Sequence, residues 1–381
     1  MVALLRKKII IFVLIFTLFF TQINFFSYAL SASSAVVMIA ETSEVIFESD
    51  AHTKRPMAST TKIMTALLAV ESGRLDDVVT ITDKMVRTEG TSMGLRAGDK
   101  LTLSNIVMGM MLLSGNDAAN AVAIYLSGSL DEFAVLMNEK AKLIGMSDTH
   151  FVTASGLDNE MHYSTAYDMA LLSSYAMKNP LFREYVCNYN ATVDYIKPEG
   201  SYTYRNHNRF LTMYDGACGV KTGFTKKSGR CLVTAVEKYG CLVIAVTLRA
   251  PDDWNDHIKL YDECLPKIKT ECIKDRFFST LSVCGGLKPS VSASIDEDII
   301  THTVSGEITT RLLTEKIIYA PIKKGDILGF VGVFSDGKLI SKYPLTADEN
   351  VEIKNTARED KGIIYKIKDL FRRFERWLIT A

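Results

Sequence analysis

The spacing of apolar residues predicts which segments of the chain are helices and which are strands. Apolar positions three and four apart predict helices from Leu103 to Leu113, from Leu130 to Ile144 and around Thr165–Met177. Short apolar runs bounded by turn residues predict strands elsewhere, in segments 35–39, 45–47, 216–223, 231–236 and 241–248. We therefore expect a mixed α+β domain, which a helix around His257–Asp262 closes near Lys269.

A different pattern begins at Cys272 and continues to Ile353. Short apolar runs alternate with turn residues there, and Ser335-Asp336-Gly337-Lys338 is typical of a hairpin turn. This pattern predicts a small all-β domain. The segment offers no nucleophile and no cluster of ligand residues, so we expect a spacer or stalk rather than a site of chemistry.

The first residues have the layout of a secretory signal peptide. The basic segment Arg6-Lys7-Lys8 precedes an apolar run from Ile9 to Phe20, and small residues follow around Ala29–Ser34. The alternative is an uncleaved membrane anchor, but the apolar run is shorter than the about 20 residues that a membrane-spanning helix needs. We expect cleavage near residues 31–33 and a protein that works outside the cytoplasm.

The last residues, Lys361 to Ala381, predict an amphipathic helix. One face carries apolar residues at helical spacing, namely Ile363, Ile364, Ile367, Leu370, Phe371, Phe374, Trp377 and Leu378. The other face carries basic residues, namely Lys366, Lys368, Arg372, Arg373 and Arg376. Such a helix lies in a membrane interface, where anionic lipids attract its basic face. The alternative is a helix that packs on its own protein.

Composition and charge narrow the class of protein. Apolar residues make up 48% of the 381 residues, which is ample for a globular core, and this length is sufficient for two domains. The 44 basic residues are balanced by 44 acidic residues, so the chain lacks the basic excess that is typical of nucleic-acid binding. We therefore expect no nucleic-acid partner.

The cysteines give little sign of a metal site or a disulfide framework. Their number is odd, and no C-x-x-C pair indicates zinc; they are Cys187, Cys218, Cys231, Cys241, Cys264, Cys272 and Cys284. Export permits disulfides, but a chain of this size does not need them, so we expect buried free thiols. Cys218 lies shortly before Lys221 and would affect that region if oxidised, although packing is its expected role.

A serine and a lysine three residues apart introduce candidate chemistry. Ser59 and Lys62 lie on one face of a predicted buried helix, which apolar residues from Ile63 to Leu68 anchor. A serine hydroxyl is a poor nucleophile until a base takes its proton, and a lysine is such a base only when burial or nearby positive charge lowers its pKa. A solvated surface helix is the alternative for this tetrad alone.

Two further motifs follow in the order that serine acyl transfer uses. Ser114-Gly115-Asn116 comes just past the end of a predicted helix, and Lys221-Thr222-Gly223 lies in a predicted strand. Each motif occurs by chance in some chains of this length, but the ordered set of three is a strong signal. The strand would let an ammonium and a hydroxyl face an anionic carboxylate.

These three motifs are those of the serine penicillin-recognising enzymes, and the chain most closely resembles the D-alanyl-D-alanine carboxypeptidases among them. The resemblance covers about residues 35 to 355. It includes further segments, namely Ser92-Met93-Gly94-Leu95, Gly156-Leu157-Asp158, His162–Ala166 with Asp168, and Asn206-His207-Asn208-Arg209.

The resemblance implies a fold and four segments. It implies a penicillin-binding, β-lactamase-like transpeptidase domain with an antiparallel sheet and a helical subdomain, followed by a small all-β domain and a C-terminal amphipathic helix. We place a signal peptide at 1–33, the catalytic domain at 34–270, the β-rich domain at 271–355 and a membrane-anchoring helix at 356–381. The implied location is the outer face of the bacterial cytoplasmic membrane or the cell wall.

The resemblance also implies a role for each site residue. Ser59 attacks the penultimate carbonyl of peptidoglycan stem peptides that end in D-Ala-D-Ala, Lys62 is its base, and Ser114 relays a proton to the leaving D-alanine. The backbone N–H groups of Ser59 and Phe224 form the oxyanion hole. Substrate binding is assigned to Asn116, Lys221, Thr222 and Gly223. The same serine is acylated by β-lactam antibiotics, and neither a metal nor an organic cofactor is implied.

Two alternative functions remain open at this point. A β-lactamase fits the order of the motifs, but Glu160 does not stand in the Glu-x-x-Asn setting of the class A enzymes, and a β-rich second domain is unexpected there. A non-catalytic cell-wall binding protein with a relic site is the other alternative, and the three intact motifs argue against it.

Overall fold

The structure is a computed structural model that describes residues 30–272, 278–295, 298–315, 317–354, 365 and 368–373. The chain divides into two compact units, Met1–Ile268 and Lys269–Ala381. The predicted signal peptide lies almost wholly outside the described residues, as does most of the predicted tail helix. Within the residues described, no helix is long and apolar enough to cross a membrane.

The first unit mixes helices and strands, as the apolar spacing predicts. Its strands are β1 (Ser34–Ile39), β2 (Val45–Ser49), β3 (Val78–Thr80), β4 (Lys100–Thr102), β5 (Asn190–Tyr195), β6 (Gly200–Arg205), β7 (Ala217–Thr225), β8 (Gly229–Lys238) and β9 (Cys241–Leu248). Its helices are α1 (Lys62–Glu71), α2 (Asp83–Val86), α3 (Leu103–Leu113), α4 (Asn116–Ser127), α5 (Leu130–Ile144), α6 (Ala166–Met177), α7 (Pro180–Cys187) and α8 (Asp253–Cys264).

A five-stranded antiparallel sheet with the order β2-β1-β9-β8-β7 is the frame of this unit. Helices α6 and α8 cover its opposite faces. Ser174 of α6 contacts the sulfur of Met38, and His257 of α8 bonds the hydroxyl of Thr247. Met38 pairs with Ile244, three positions from Thr247, and successive strand residues point to opposite faces. The sheet is therefore covered on both sides. β7 is one of its two edge strands.

Helix α1 is the centre of the helical part. Ile63, Met64, Ala66 and Leu67 are fully buried, and the helix packs against α3, α4 and α6. A helix that is apolar on nearly all sides has to be enclosed by other elements. This packing fixes the position of the residues at the start of α1, where Ser59 and Lys62 lie.

In the second unit, every named element in the described part of residues 269–351 is a strand. These strands are β10 (Lys269–Cys272), β11 (Phe278–Cys284), β12 (Ser290–Ser294), β13 (Ile300–Thr303), β14 (Ile308–Leu313), β15 (Ile318–Tyr319), β16 (Ile327–Ser335) and β17 (Lys338–Ala347). Six strands form a sheet in the order β14-β16-β17-β12-β11-β15, and β10 pairs with β13. Val291, Val331, Val333 and Leu345 are fully buried in its core. The α+β domain and the all-β domain are thus confirmed as fold classes.

The structure differs from the sequence-based expectation at two places. Ser59 lies in a 3-10 turn, Ala58–Thr61, and the α-helix begins only at Lys62. A 3-10 turn is a common way to tighten a helix N-terminus. All seven cysteines are unpaired, but Cys272 and Cys284 are exposed rather than buried.

Candidate active site

The candidate nucleophile lies in a strained turn. Ala58, the residue before Ser59, has a φ of 50°, which is unusual for a residue with a side chain. Its carbonyl oxygen packs so closely on Gly156 that a Cβ placed there would lie 1.9 Å from it. Gly156 itself has a φ of +87°, so only glycine suits this position. The turn is therefore held in place by the loop that contains Gly156.

The side chain of Lys62 reaches the hydroxyl of Ser59. The Nζ–Oγ distance is 2.9 Å, and Nζ donates to Oδ1 of Asn116 and to the carbonyl oxygen of Ser155, at 2.7 Å each. Asn116 is the first residue of α4. Lys62 therefore connects the 3-10 turn, helix α4 and the loop before Gly156. These three contacts fix the amine beside the candidate nucleophile.

The surroundings of Lys62 favour its neutral form. Burial lowers the pKa of the fully buried lysine well below its usual value, and the positive charge of Lys221 lowers this pKa further. The Asp117 carboxylate acts in the opposite direction. An amine with a strongly lowered pKa can accept a proton near neutral pH, and a general base for a serine needs this property.

A second buried lysine lies on β7. Burial lowers the pKa of Lys221 to about 7, and its Nζ donates to the carbonyl oxygen of Thr222 at 3.0 Å. An unpaired buried ammonium is costly, so an anion that enters the site gains from pairing with it. Lys221 and Thr222 are therefore suited to hold a carboxylate.

A substrate carboxylate that pairs with Lys221 would bind in a pH-dependent way. We expect the KM for a peptide with a free C-terminal carboxylate to rise above pH about 7, by up to about tenfold per pH unit, because the free enzyme loses the charge of Lys221. Initial rates between pH 6 and 9 measure this dependence. Lys221→Arg keeps its charge throughout and should flatten it. A wild-type KM that stays constant over this range would contradict the role of Lys221.

The glycine after Thr222 allows β7 to approach the nucleophile. A Cβ on Gly223 would lie 3.1 Å from the backbone nitrogen atoms of Ser59 and Thr60. The next residue, Phe224, is 66% exposed. Sequence reasoning assigned Gly223 to substrate binding, and its observed contact is this close approach between β7 and the 3-10 turn.

The two predicted residues of the Ser-x-Asn motif have different surroundings. Ser114 is buried in the turn between α3 and α4, with a φ of 61°. Among the described residues, its side chain makes no hydrogen bond to Ser59 or Lys62. Asn116 is joined to Lys62, and its Nδ2 donates to the carbonyl oxygen of Glu89 at 2.8 Å. The amide expected to hold substrate therefore also positions the lysine.

Two family models match the sequence. The model described as D-alanyl-D-alanine carboxypeptidase of the peptidase S11 type matches residues 22–252, and the model for the C-terminal domain of penicillin-binding protein 5 matches residues 272–353. The chain belongs to the D-alanyl-D-alanine carboxypeptidase family. As a member, it is a serine hydrolase of the penicillin-binding class that acts on the peptides of the cell wall.

Individual members of the family match over most of their length. The D-alanyl-D-alanine carboxypeptidase DacF of Bacillus subtilis is 30% identical over 84% of this chain and 86% of its own. DacC of Escherichia coli is 31% identical over 92% and 90%, respectively. The crystal structure of DacD from Francisella tularensis is 27% identical, with a TM-score of 0.60 over 86% of this chain and 95% of its own.

Asp117 holds a loop of this carboxypeptidase in place, a role that sequence reasoning missed. Its buried carboxylate accepts hydrogen bonds from the Ser92 hydroxyl and from the backbone N–H groups of Met93, Gly94 and Leu95, at 2.6 to 3.0 Å. Ser92–Leu95 is one of the segments on which the resemblance depends. The signal that could have found Asp117 is its position directly after Asn116, at the start of a helix.

Replacement of this carboxylate should loosen the loop. We expect Asp117→Asn to lower the free energy of unfolding by about 3 kcal/mol, since an amide offers one acceptor atom where the carboxylate offers two, and it carries no charge. Urea unfolding measures the change. Ser92→Ala removes one of the same hydrogen bonds and should cost about 1 kcal/mol. Equal stability of the Asp117→Asn variant and wild type would show that the carboxylate does not hold the loop.

His162 supports the turn of the nucleophile from the other side. Its Nδ1 accepts from the backbone N–H of Val152 at 2.9 Å, so Nε2 carries the proton and donates to the Thr61 hydroxyl at 2.9 Å. Thr61 in turn donates to the carbonyl oxygen of Ala58 at 2.8 Å. Burial lowers the pKa of His162 to about 4, which keeps the ring neutral. The histidine therefore positions the strained turn and does not contact Ser59.

A further contact joins β7 to the loop after Gly156. The Thr225 hydroxyl donates to the carboxylate of Asp158 at 2.8 Å. Thr225 also bonds the hydroxyl of Ser228, in the turn that leads to β8. The strand with Lys221 and the loop that packs on Ala58 are thus tied together beside the nucleophile.

Proposed function

We propose that Ser59 is the nucleophile with which this carboxypeptidase removes the terminal D-alanine from peptidoglycan stem pentapeptides. The observation that carries this proposal is the 2.9 Å contact between the Ser59 hydroxyl and the amine of a fully buried lysine, Lys62. In the first step, Lys62 accepts the proton of Ser59 while the oxygen attacks the penultimate carbonyl carbon.

The negative charge that develops on the carbonyl oxygen needs hydrogen-bond donors. We assign this role to the backbone N–H groups of Ser59 and Phe224. The close approach of Gly223 to the nitrogen of Ser59 supports the assignment, because it brings β7 beside the nucleophile. The terminal carboxylate is bound by Lys221 and Thr222, which places the scissile bond between the two elements.

Departure of D-alanine requires a proton on its nitrogen. The proton on Lys62 passes to the leaving group through the hydroxyl of Ser114, which lies in the turn directly before α4. The acyl group then remains on Ser59 until water attacks it, with Lys62 again accepting a proton. Asn116 contributes by holding Lys62, and its contact with a substrate amide remains part of the proposal.

The rates with two substrates distinguish this function from its alternatives. The purified chain should release D-alanine from a peptide that ends in D-Ala-D-Ala in many turnovers, and penicillin should stop that release by a long-lived adduct. A β-lactamase would hydrolyse penicillin rapidly and release little D-alanine. A binding protein would release none and form no covalent adduct.

The enzyme's position at the membrane is a second part of this proposal. We propose that it is exported and held at the outer face of the cytoplasmic membrane by the predicted tail helix. The basic residues of the tail, Lys366, Lys368, Arg372, Arg373 and Arg376, support a membrane surface as the partner.

Vesicle binding tests the tail. The chain should sediment with vesicles that contain phosphatidylglycerol and bind phosphatidylcholine vesicles more weakly, and each arginine replaced by glutamine should weaken binding by about fivefold. Arg311→Gln, outside the tail, is the matched control and should leave binding unchanged. Equal binding to both kinds of vesicle would contradict attraction by the basic face.

A further inference from the structure

Two cysteines meet where helix α7 ends against strand β7. Cys187 is the last residue of α7, and Cys218 is the second residue of β7. The Cys187 thiol donates to the carbonyl oxygen of Cys218 at 2.7 Å. Both side chains are partly exposed, and both thiols are free. The pair is therefore accessible to small reagents, and β7 is the strand that carries Lys221.

The two thiols differ in their readiness to react. The neighbouring Cys218 side chain and the positive charge of Arg183, one turn earlier on α7, lower the pKa of Cys187 to about 7. The neighbouring Cys187 side chain, together with burial, raises the pKa of the Cys218 thiol. A thiolate is the attacking species in thiol–disulfide exchange. Cys187 is thus suited to attack first, and Cys218 is the neighbouring thiol that resolves the mixed disulfide.

We propose that Cys187 and Cys218 are a thiol modification site, which low-molecular-mass disulfides oxidise to an intramolecular disulfide that slows acylation of Ser59. The part that concerns acylation rests on the function proposed above. Export supports the reagent class, because disulfides persist in oxidising compartments outside the cytoplasm.

The reaction balances without any further reagent. The Cys187 thiolate attacks one sulfur of the small disulfide, and the other sulfur leaves as a thiolate that takes up a proton. Cys218 then loses its proton and attacks the sulfur of Cys187, which expels the second small thiol. Two protein thiols are oxidised, and one small disulfide is reduced to two thiols.

The packing around the pair links it to the active site. A Cβ on Gly219 would lie 3.1 Å from the Cγ2 atom of Val186, so the end of α7 and the start of β7 are in close contact. The Cys187 sulfur now faces the carbonyl oxygen of Cys218, and a disulfide requires it to face the sulfur instead. The pairing of β7 with β8 is irregular between Ala217 and Val220, so the hydrogen-bond ladder is interrupted at this part of β7.

A shift at the start of β7 reaches the substrate-binding residues. Lys221 follows three residues after Cys218 in the same strand, and Gly223 is packed on the turn of Ser59. A displacement of about 1 Å in a catalytic arrangement costs about a hundredfold in rate. The disulfide should therefore lower the acylation rate even though neither cysteine contacts the substrate.

Oxidation of the full-length chain tests the inference. The chain is treated with glutathione disulfide, digested under non-reducing conditions and mapped by mass spectrometry, and its acylation rate is measured with a fluorescent penicillin. We expect a Cys187–Cys218 linkage, an acylation rate at least about tenfold lower, and recovery after dithiothreitol. Cys187→Ser should keep the rate of the reduced protein in the presence of the oxidant. Cys284→Ser, an exposed cysteine of the second unit, should respond like wild type.

The possible outcomes separate this inference from the proposed function. A map without the Cys187–Cys218 linkage would overturn the inference, and so would a linked protein that is acylated as fast as the reduced one. These comparisons use wild-type protein in two redox states, so they do not depend on how a variant folds. A reduced wild-type chain that takes up no penicillin would instead contradict the function of Ser59, and with it the coupling.

Discussion

Replacement of Ser59 by alanine is expected to lower D-alanine release from a D-Ala-D-Ala peptide by at least about 10⁴-fold. The variant lacks the oxygen that forms the acyl-enzyme, while Lys62, Asn116 and the carbonyl of Ser155 keep their mutual contacts. Substrate binding should change little, because Lys221 lies on another element. The loss should therefore appear in kcat and leave KM nearly unchanged.

The matched control for this variant is Ser72→Ala. Ser72 lies at the other end of α1, where its hydroxyl donates to the carbonyl oxygen of Ala69. Its removal is the same chemical change in the same helix, and we expect activity within about twofold of wild type. Comparable losses in the two variants would indicate damage to the helix rather than the loss of a nucleophile.

Replacement of Lys62 by methionine is expected to lower the acylation rate at pH 7 by about 10² to 10⁴-fold. Methionine has a similar length and fits a buried position, but it cannot accept the proton of Ser59. Stopped-flow measurements with a chromogenic β-lactam report acylation directly. The wild-type rate should rise with pH through the lowered pKa of Lys62, and the variant should lose this rise. An unchanged rate in the methionine variant would exclude Lys62 as the base.

The free energy of unfolding shows whether Lys62→Met loses activity because it lacks the amine or because it unfolds. The pKa of Lys62 is lowered in the folded protein, so between that value and the ordinary 10.5 the unfolded chain binds more protons than the folded chain. The contribution of Lys62 to the free energy of unfolding should therefore rise with pH in this window and reach its full value above pH 10.5. Lys62→Met should remove this contribution, and Lys221, whose pKa is lowered to about 7, should contribute in the same direction.

Local sequence rules predicted the elements with clear start and stop signals. Helices α3 and α5 have the predicted bounds because Thr102 and Ser129 cap their first turns through side-chain hydrogen bonds, and Gly145 ends α5 with a positive φ. The Ser59–Lys62 spacing predicted their contact, since the 3-10 turn that contains Ser59 continues directly into α1.

The parts that sequence reasoning missed depend on contacts between distant segments. Nothing near Lys62 in the sequence indicates that the carbonyl oxygen of Ser155 accepts from it, and His162 reaches the turn of Ser59 only after the chain has folded. The second role of Asn116 was missed for the same reason: its side chain joins Lys62 to Glu89 across 27 residues of sequence. A sequence motif indicates which residue types form a site, whereas the contacts of these residues depend on tertiary packing.

The position of the acyl group on the chain tests the central claim most directly. The chain is mixed with penicillin, quenched in acid and digested, and the modified peptide is sequenced by mass spectrometry. The account predicts one penicilloyl group on Ser59, competition by a peptide that ends in D-Ala-D-Ala, and no adduct on Ser59→Ala. A stable adduct on another residue, or D-alanine release that survives in Ser59→Ala, would contradict it.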